Sequence, residues 1–103
     1  MSLNELMYFY EDQISAAEKS IQSIDETIAA MEPSLKAYVR TSEIITAQNS
    51  KDAKDINGVL NNLAMEIIKQ VDEMRQKQNM WNARKNFYAL VVSRLKNHQL
   101  KLI

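Results

Sequence analysis

The sequence predicts an all-α fold: a long antiparallel helical hairpin of the coiled-coil kind, assembling into a dimeric or higher helical bundle. Three observations lead there. The first is a stripe of apolar residues in the first half: Leu3, Met7, Tyr10, Ile14, Ala17, Ile21, Ile24, Ile28, Met31, Leu35 and Tyr38, with spacing that alternates between four and three. A repeat of about 3.5 residues keeps one face of an α-helix against a partner helix, with slight left-handed supercoiling. The second is a matching stripe in the second half, Ile56, Leu60, Leu63, Ile67, Val71 and Met74, then Trp81, Tyr88, Val92 and Leu95. The third is composition. One Gly (Gly58) and one Pro (Pro33) in 103 residues leave little punctuation for strands and turns, whereas helix-favouring residues dominate.

The first helix is expected over about residues 2–42. Ser2-Leu-Asn-Glu5 matches the capping box, in which a hydroxyl and a carboxylate satisfy opposite free N–H groups at a helix start. Pro33 interrupts the helix chemically, because proline removes one backbone hydrogen bond and clashes with the preceding turn. The stripe keeps its register across Pro33, so a kink or a short break is expected there. The stripe then meets Ser42, and the polar stretch that follows is read as a connection over about residues 43–51, with Thr46, Asn49 and Ser50 as candidate caps.

The second helix is expected over about residues 52–100, with Val59, Ala64 and Ile68 widening its apolar face. Gly58 within it either allows a close backbone approach or is tolerated near an end. The polar run from Arg75 to Asn79 weakens the seam, either to fix register or simply as solvated surface. A connection of this length folds the helices back antiparallel and sets an expected register: Ile28 near Ala64, Ile21 near Val71, Tyr10 near Asn82, Leu3 near Ala89. The chain is then a single helical-hairpin domain. Residues beyond Ala89 would overhang, and Tyr8, Phe9, Ile68, Phe87, Tyr88, Leu90, Val91 and Leu95 would be left for an oligomer or partner interface. A dimer or tetramer of hairpins is the expected product.

Charge supports the antiparallel arrangement. The formal net charge is zero, but acids crowd the first helix, and after Glu73 the chain carries bases alone. A basic tail can bind nucleic acid, yet no nucleic-acid motif accompanies it, and acid beside base accounts for both imbalances; no nucleic-acid partner is expected. No apolar run approaches the roughly 18 residues that span a bilayer, so no membrane insertion is expected. The N-terminus lacks a cationic, then apolar, secretory signal. The absence of cysteine removes thiolate and disulfide chemistry.

Catalysis is not expected either. His98 is the only histidine, no glycine-rich loop cradles a phosphate, and no Glu-x-x-His pair exists for a di-iron site. The reading is of no enzyme, no cofactor and no metal.

Several short blocks follow one another in an order that resembles the coiled-coil region of the FG nucleoporin of the 58/45-kDa class. They are Tyr8-Phe9 and Gln13, Ile45-Thr46-Ala47-Gln48, then Ile56, Leu60, Leu63-Ala64 and Ile67, and finally Trp81 and Arg84-Lys85-Asn86-Phe87. The chain departs from that family in having no Phe-Gly dipeptide and in a longer inter-helix segment with Pro33 and Tyr38-Val39-Arg40. The resemblance implies a structural protein of the nuclear pore complex, a scaffold of its central transport channel in nucleocytoplasmic and protein transport. Its implied partners are its own copies and the other coiled-coil channel nucleoporins. The abrupt end at Leu102-Ile103 would suit an excised fragment. The alternative is a coiled-coil subunit of a vesicle-tethering or kinetochore complex, cytoplasmic or nuclear; FG repeats in flanking sequence would separate the two.

Overall fold

The computed structural model describes residues 2–48 and 51–101, with side chains described to Gln99. It is an all-helical antiparallel two-helix hairpin, with α1 over Leu3–Gln48 and α2 over Ala53–Lys101. The Glu5 N–H donates to Ser2 Oγ at 3.1 Å and the Leu6 N–H to the Ser2 carbonyl at 3.0 Å, so Ser2 caps α1 as its sequence pattern predicts. At the other helix start the Ile56 N–H donates to the Asp52 carbonyl at 3.0 Å. Asp52 therefore stands at the helix entry. Of the expected caps, Thr46 lies inside α1, its hydroxyl donating to the Ser42 carbonyl at 2.8 Å, and Asn49 and Ser50 lie outside the described residues.

α1 is longer than expected, and it is not broken at Pro33. Pro33 and Ala29 are both exposed, so the carbonyl that loses its N–H partner faces water, which keeps the cost of the proline local. The helix also continues past Tyr38 to Gln48. Ser42 and Ile45 are half-buried and carry the four-and-three spacing onward. The polar residues read as a connection are instead the last turns of α1. Gly58 meets nothing within 4 Å of where a Cβ would stand, so it serves no close approach and is tolerated near the start of α2.

The longer α1 moves the register. Ile21 lies opposite Gln78, whose Nε2 donates to the Ile21 carbonyl at 3.2 Å, seven residues beyond the expected Val71. A slip of one heptad leaves every apolar position on the same face, so periodicity alone cannot exclude it. The length of α1 and the short connection decide it.

The hairpin divides into two compact units. Unit 1 joins Met1–Ile24 to Gln76–Ile103. In it Tyr10 meets Tyr88 with ring centroids 5.8 Å apart, not Asn82. Gln99 Nε2 donates to Asn4 Oδ1 at 3.1 Å, and Val92 is 6% exposed. Val92 and Gln99 thus lie against α1, where an overhang was expected. Ala17 is fully buried, and Gln78, at 7% exposure, occupies the seam position between Met74 and Trp81 that its polarity had disguised. Glu18–Lys85 at 3.4 Å and Glu11–Lys96 at 3.7 Å bring acid to base.

Unit 2 is Asp25–Arg75. Ile24 of unit 1 and Ile28, Met31, Leu35 and Tyr38 of unit 2 are half-buried along α1, and Leu60, Ile67, Val71 and Met74 along α2. Ile56 and Leu63 depart from the expected seam: they are 40% and 44% exposed, and Asn57 and Ala64 hold the half-buried places. The reason is phase along α2, because the expected stripe takes two successive steps of four at Leu63, Ile67 and Val71. A four-and-three pattern continuous with Leu60, Ile67 and Gln78 passes through Asn57 and Ala64. Ser42 Oγ donates to Asn57 Oδ1 at 3.0 Å and Asn57 Nδ2 to Thr46 Oγ1 at 2.9 Å, so this polar seam residue is satisfied from both sides. Asp25–Arg75, at 2.9 Å, is about half exposed and contributes about 0–1 kcal/mol.

Two measurements check this packing. Ser42→Cys with Asn57→Cys, in a chain that has no other cysteine, should form an intramolecular disulfide, because the native side chains already touch. Failure to close under mild oxidation would contradict the register. Ala17→Leu should lower stability by about 1–3 kcal/mol in thermal melts by overfilling a closed site, whereas Ala29→Leu, at an exposed position, should change it by less than about 0.5 kcal/mol.

Candidate interaction surface

The surface question starts from what the hairpin leaves uncovered. Burying a large apolar side chain contributes about 1.5–3 kcal/mol, and two helices in contact can bury only one strip of each. Among the described residues, only Ala17 and Val92 are apolar and buried. The seam residues Met7, Tyr10, Ile14, Ile21 and Trp81 of unit 1 are half-buried.

In unit 1 the exposed large hydrophobics are Tyr8 at 65%, Phe9 at 46%, Met80 at 59%, Phe87 at 58% and Leu90 at 51%. Phe9 and Tyr10 meet edge to face at 5.4 Å, and Phe87 and Tyr88 at 6.0 Å. With the Tyr10–Tyr88 contact, the four rings form one row across both helices, with Phe9 and Phe87 at its open ends. Edge-to-face rings at such distances contribute about 0.5–1.5 kcal/mol beyond their burial. Arg84 lies over the Trp81 ring at 5.0 Å, a cation–π contact that covers part of the indole.

Three residues expected at an oligomer or partner interface belong instead to the hairpin's own packing: Tyr88, Val91 and Leu95 are half-buried in unit 1. They follow from the corrected register, which gives them α1 residues to pack on. Tyr8, Phe9, Phe87 and Leu90 remain outward.

In unit 2 the outward apolar residues include Ile56, Val59, Leu63, Met65 and Ile68 on α2 and Val39 and Ile44 on α1. Ile56, Val59 and Leu63 recur at three and four and so lie along one line of α2. A groove of about 450 Å³ lies over Tyr38, Ser42, Asn57, Gly58 and Leu60, where the missing Gly58 side chain leaves room.

Sequence reading missed Gln78, Asn57 and Ser42 as inward residues because each is polar. The signal was present: each falls where the four-and-three count lands. It also missed Met65 and Met80, which lie off both seams.

Among the described residues no group of three or more His, Cys, Asp or Glu could hold a metal ion, and no helix is long and apolar enough to cross a membrane. No family model, curated protein or solved structure matches the chain.

Proposed function

We propose that this chain is a structural assembly element of the central transport channel of the nuclear pore, self-associating and binding other coiled-coil channel nucleoporins. The observation that carries the structural part is the imbalance of burial. Twelve large hydrophobic residues are exposed among those described, against two buried apolar ones, one of them an alanine. A hairpin with that balance gains more by covering its apolar faces with further helices than by standing alone. The place in the pore rests on the ordered resemblance of Tyr8-Phe9, Ile45-Thr46-Ala47-Gln48, Trp81 and Arg84-Lys85-Asn86-Phe87 to the channel nucleoporin. In this reading the product of the chain is geometry. It holds flexible repeats carried elsewhere, and its ion pairs choose helix direction while apolar contact supplies the affinity.

The test mixes the chain with the coiled-coil regions of the other channel nucleoporins from the same source. A complex that co-elutes and survives moderate salt is expected, because apolar burial is not screened. No complex with any of them, at low or high salt, would remove the pore from the account.

A further inference from the structure

We infer that the edge of unit 1 lined by Lys77, Met80, Arg84 and Phe87 binds a helix of another protein, one that carries a glutamate and a large apolar residue seven positions apart. This inference rests on the partner binding proposed above and names the chemistry of the partner.

Charge supplies the first argument. Glu18–Lys85 and Glu11–Lys96 join the helices along one edge of the unit 1 seam. Lys77 and Arg84 stand on the other edge. Each comes one place before a seam residue, Gln78 and Lys85, whereas Lys96 comes one place after Leu95. The matching edge of α1 holds Gln13 and Ser20, one place before Ile14 and Ile21, with Ala16 and Ser23 on the next line outward. None of these is an acid. Lys77 and Arg84 are exposed, and neither forms an ion pair among the described residues. The hairpin neutralises bases on one edge and leaves those of the other to a partner.

Shape supplies the second argument. Lys77, Met80, Trp81 and Arg84 surround a cavity of about 80 Å³, and no described residue of α1 lines it. Their spacing is that of the four residues that form a hole for a knob from a facing helix. Two corners of this hole are cations, and its floor is Met80 and Trp81. Arg84 lies over the Trp81 ring at 5.0 Å, which holds the guanidinium at the rim. A knob that suits the hole needs an apolar stem and an anionic tip that accepts hydrogen bonds, because both corners only donate. Glutamate is that side chain. One heptad on, Arg84, Phe87, Tyr88 and Val91 repeat the spacing. Phe87 is 58% exposed there, so the second knob is a large apolar one.

The third argument separates a helix from nucleic acid. Lys77 and Arg84 are about 10 Å apart along the axis, and each is followed three places on by an exposed apolar residue, Met80 or Phe87. A phosphate backbone would pair with the bases and leave those apolar groups uncovered. A nucleobase stacks on an aromatic face, and Arg84 already lies over that of Trp81. A helix with acidic and apolar residues in the same period satisfies both.

The experiment reads the fluorescence of Trp81, the one tryptophan of the chain. The whole chain is titrated with Trp-free, Ala-rich helical peptides of about 20 residues. A peptide with Glu and Leu seven apart should shift the emission to saturation. The same peptide with Lys in place of Glu should bind about tenfold more weakly or worse. Lys77→Glu combined with Arg84→Glu should reverse that preference, which a loss of structure does not do. Lys69→Glu, exposed in unit 2, should change either affinity by less than about threefold. Circular dichroism checks that each variant keeps its helix, and should the double variant fail to fold, the preference of the unmodified chain decides. Equal binding of the two peptides, binding of neither, or a folded double variant that keeps the original preference would overturn the inference. So would a single-stranded oligonucleotide that binds more tightly than the Glu peptide, or self-association that the double variant abolishes; these put nucleic acid or a second copy on this edge. Channel nucleoporins that co-elute equally well with the double variant would overturn this edge and leave the proposed function standing. A preference for the Glu peptide in a chain that binds no channel nucleoporin would support the edge and remove the pore.

Discussion

Everything in this molecule follows from how little two helices can bury against each other. A helix in a hairpin offers one strip to its neighbour, and the rest of its circumference stays open. The chain fills that strip with a continuous seam on α1, yet the closest packing is confined to a few points: Ala17 fully covered, Val92 and Gln78 nearly so. These three belong to unit 1. Small and polar residues at such places do more to fix geometry than to supply energy. Ala17 permits close approach, and Gln78 spends its amide on the Ile21 carbonyl, a bond available in one register. A single polar residue in an apolar seam lowers stability and selects alignment.

Electrostatics acts in the same direction. Acid on α1 meets base on α2 at Glu11–Lys96 and Glu18–Lys85 in unit 1, and at Asp25–Arg75 in unit 2. Each pair is substantially exposed, so each contributes little to stability. Together they penalise arrangements that would place like charges side by side. Polar contacts finish what charge begins: Asn57 takes a hydrogen bond from Ser42 and gives one to Thr46, which holds the last turns of α1 against the first turns of α2.

The sequence made the helix class, the antiparallel pairing and the α1 seam legible, because apolar residues at alternating three and four have one physical reading. It did not make the register legible. Ile21 can face Val71 or Gln78 without turning a single apolar residue outward, and the choice lay in polar residues near the turn that read equally well as loop or as helix. Ser42 illustrates the difficulty: counted by polarity it ends the seam, counted by position it continues it. The same slip decided which residues were left for an interface. Tyr88, Val91 and Leu95 moved inward once the second helix had a partner along its length, while Phe9, Phe87 and Leu90 stayed out. The aromatic row was not legible at all, since it needs Tyr10 beside Tyr88, a contact that exists only in the true register.

The central claim is that this hairpin completes its folding energy by association. The most direct test is thermal unfolding followed by circular dichroism over a hundredfold range of protein concentration. Binding that favours the folded state raises the melting temperature with concentration by mass action. The account predicts a midpoint that climbs steadily across the range. A midpoint that stays fixed while unfolding remains reversible would show a hairpin stable by itself, and would contradict the claim.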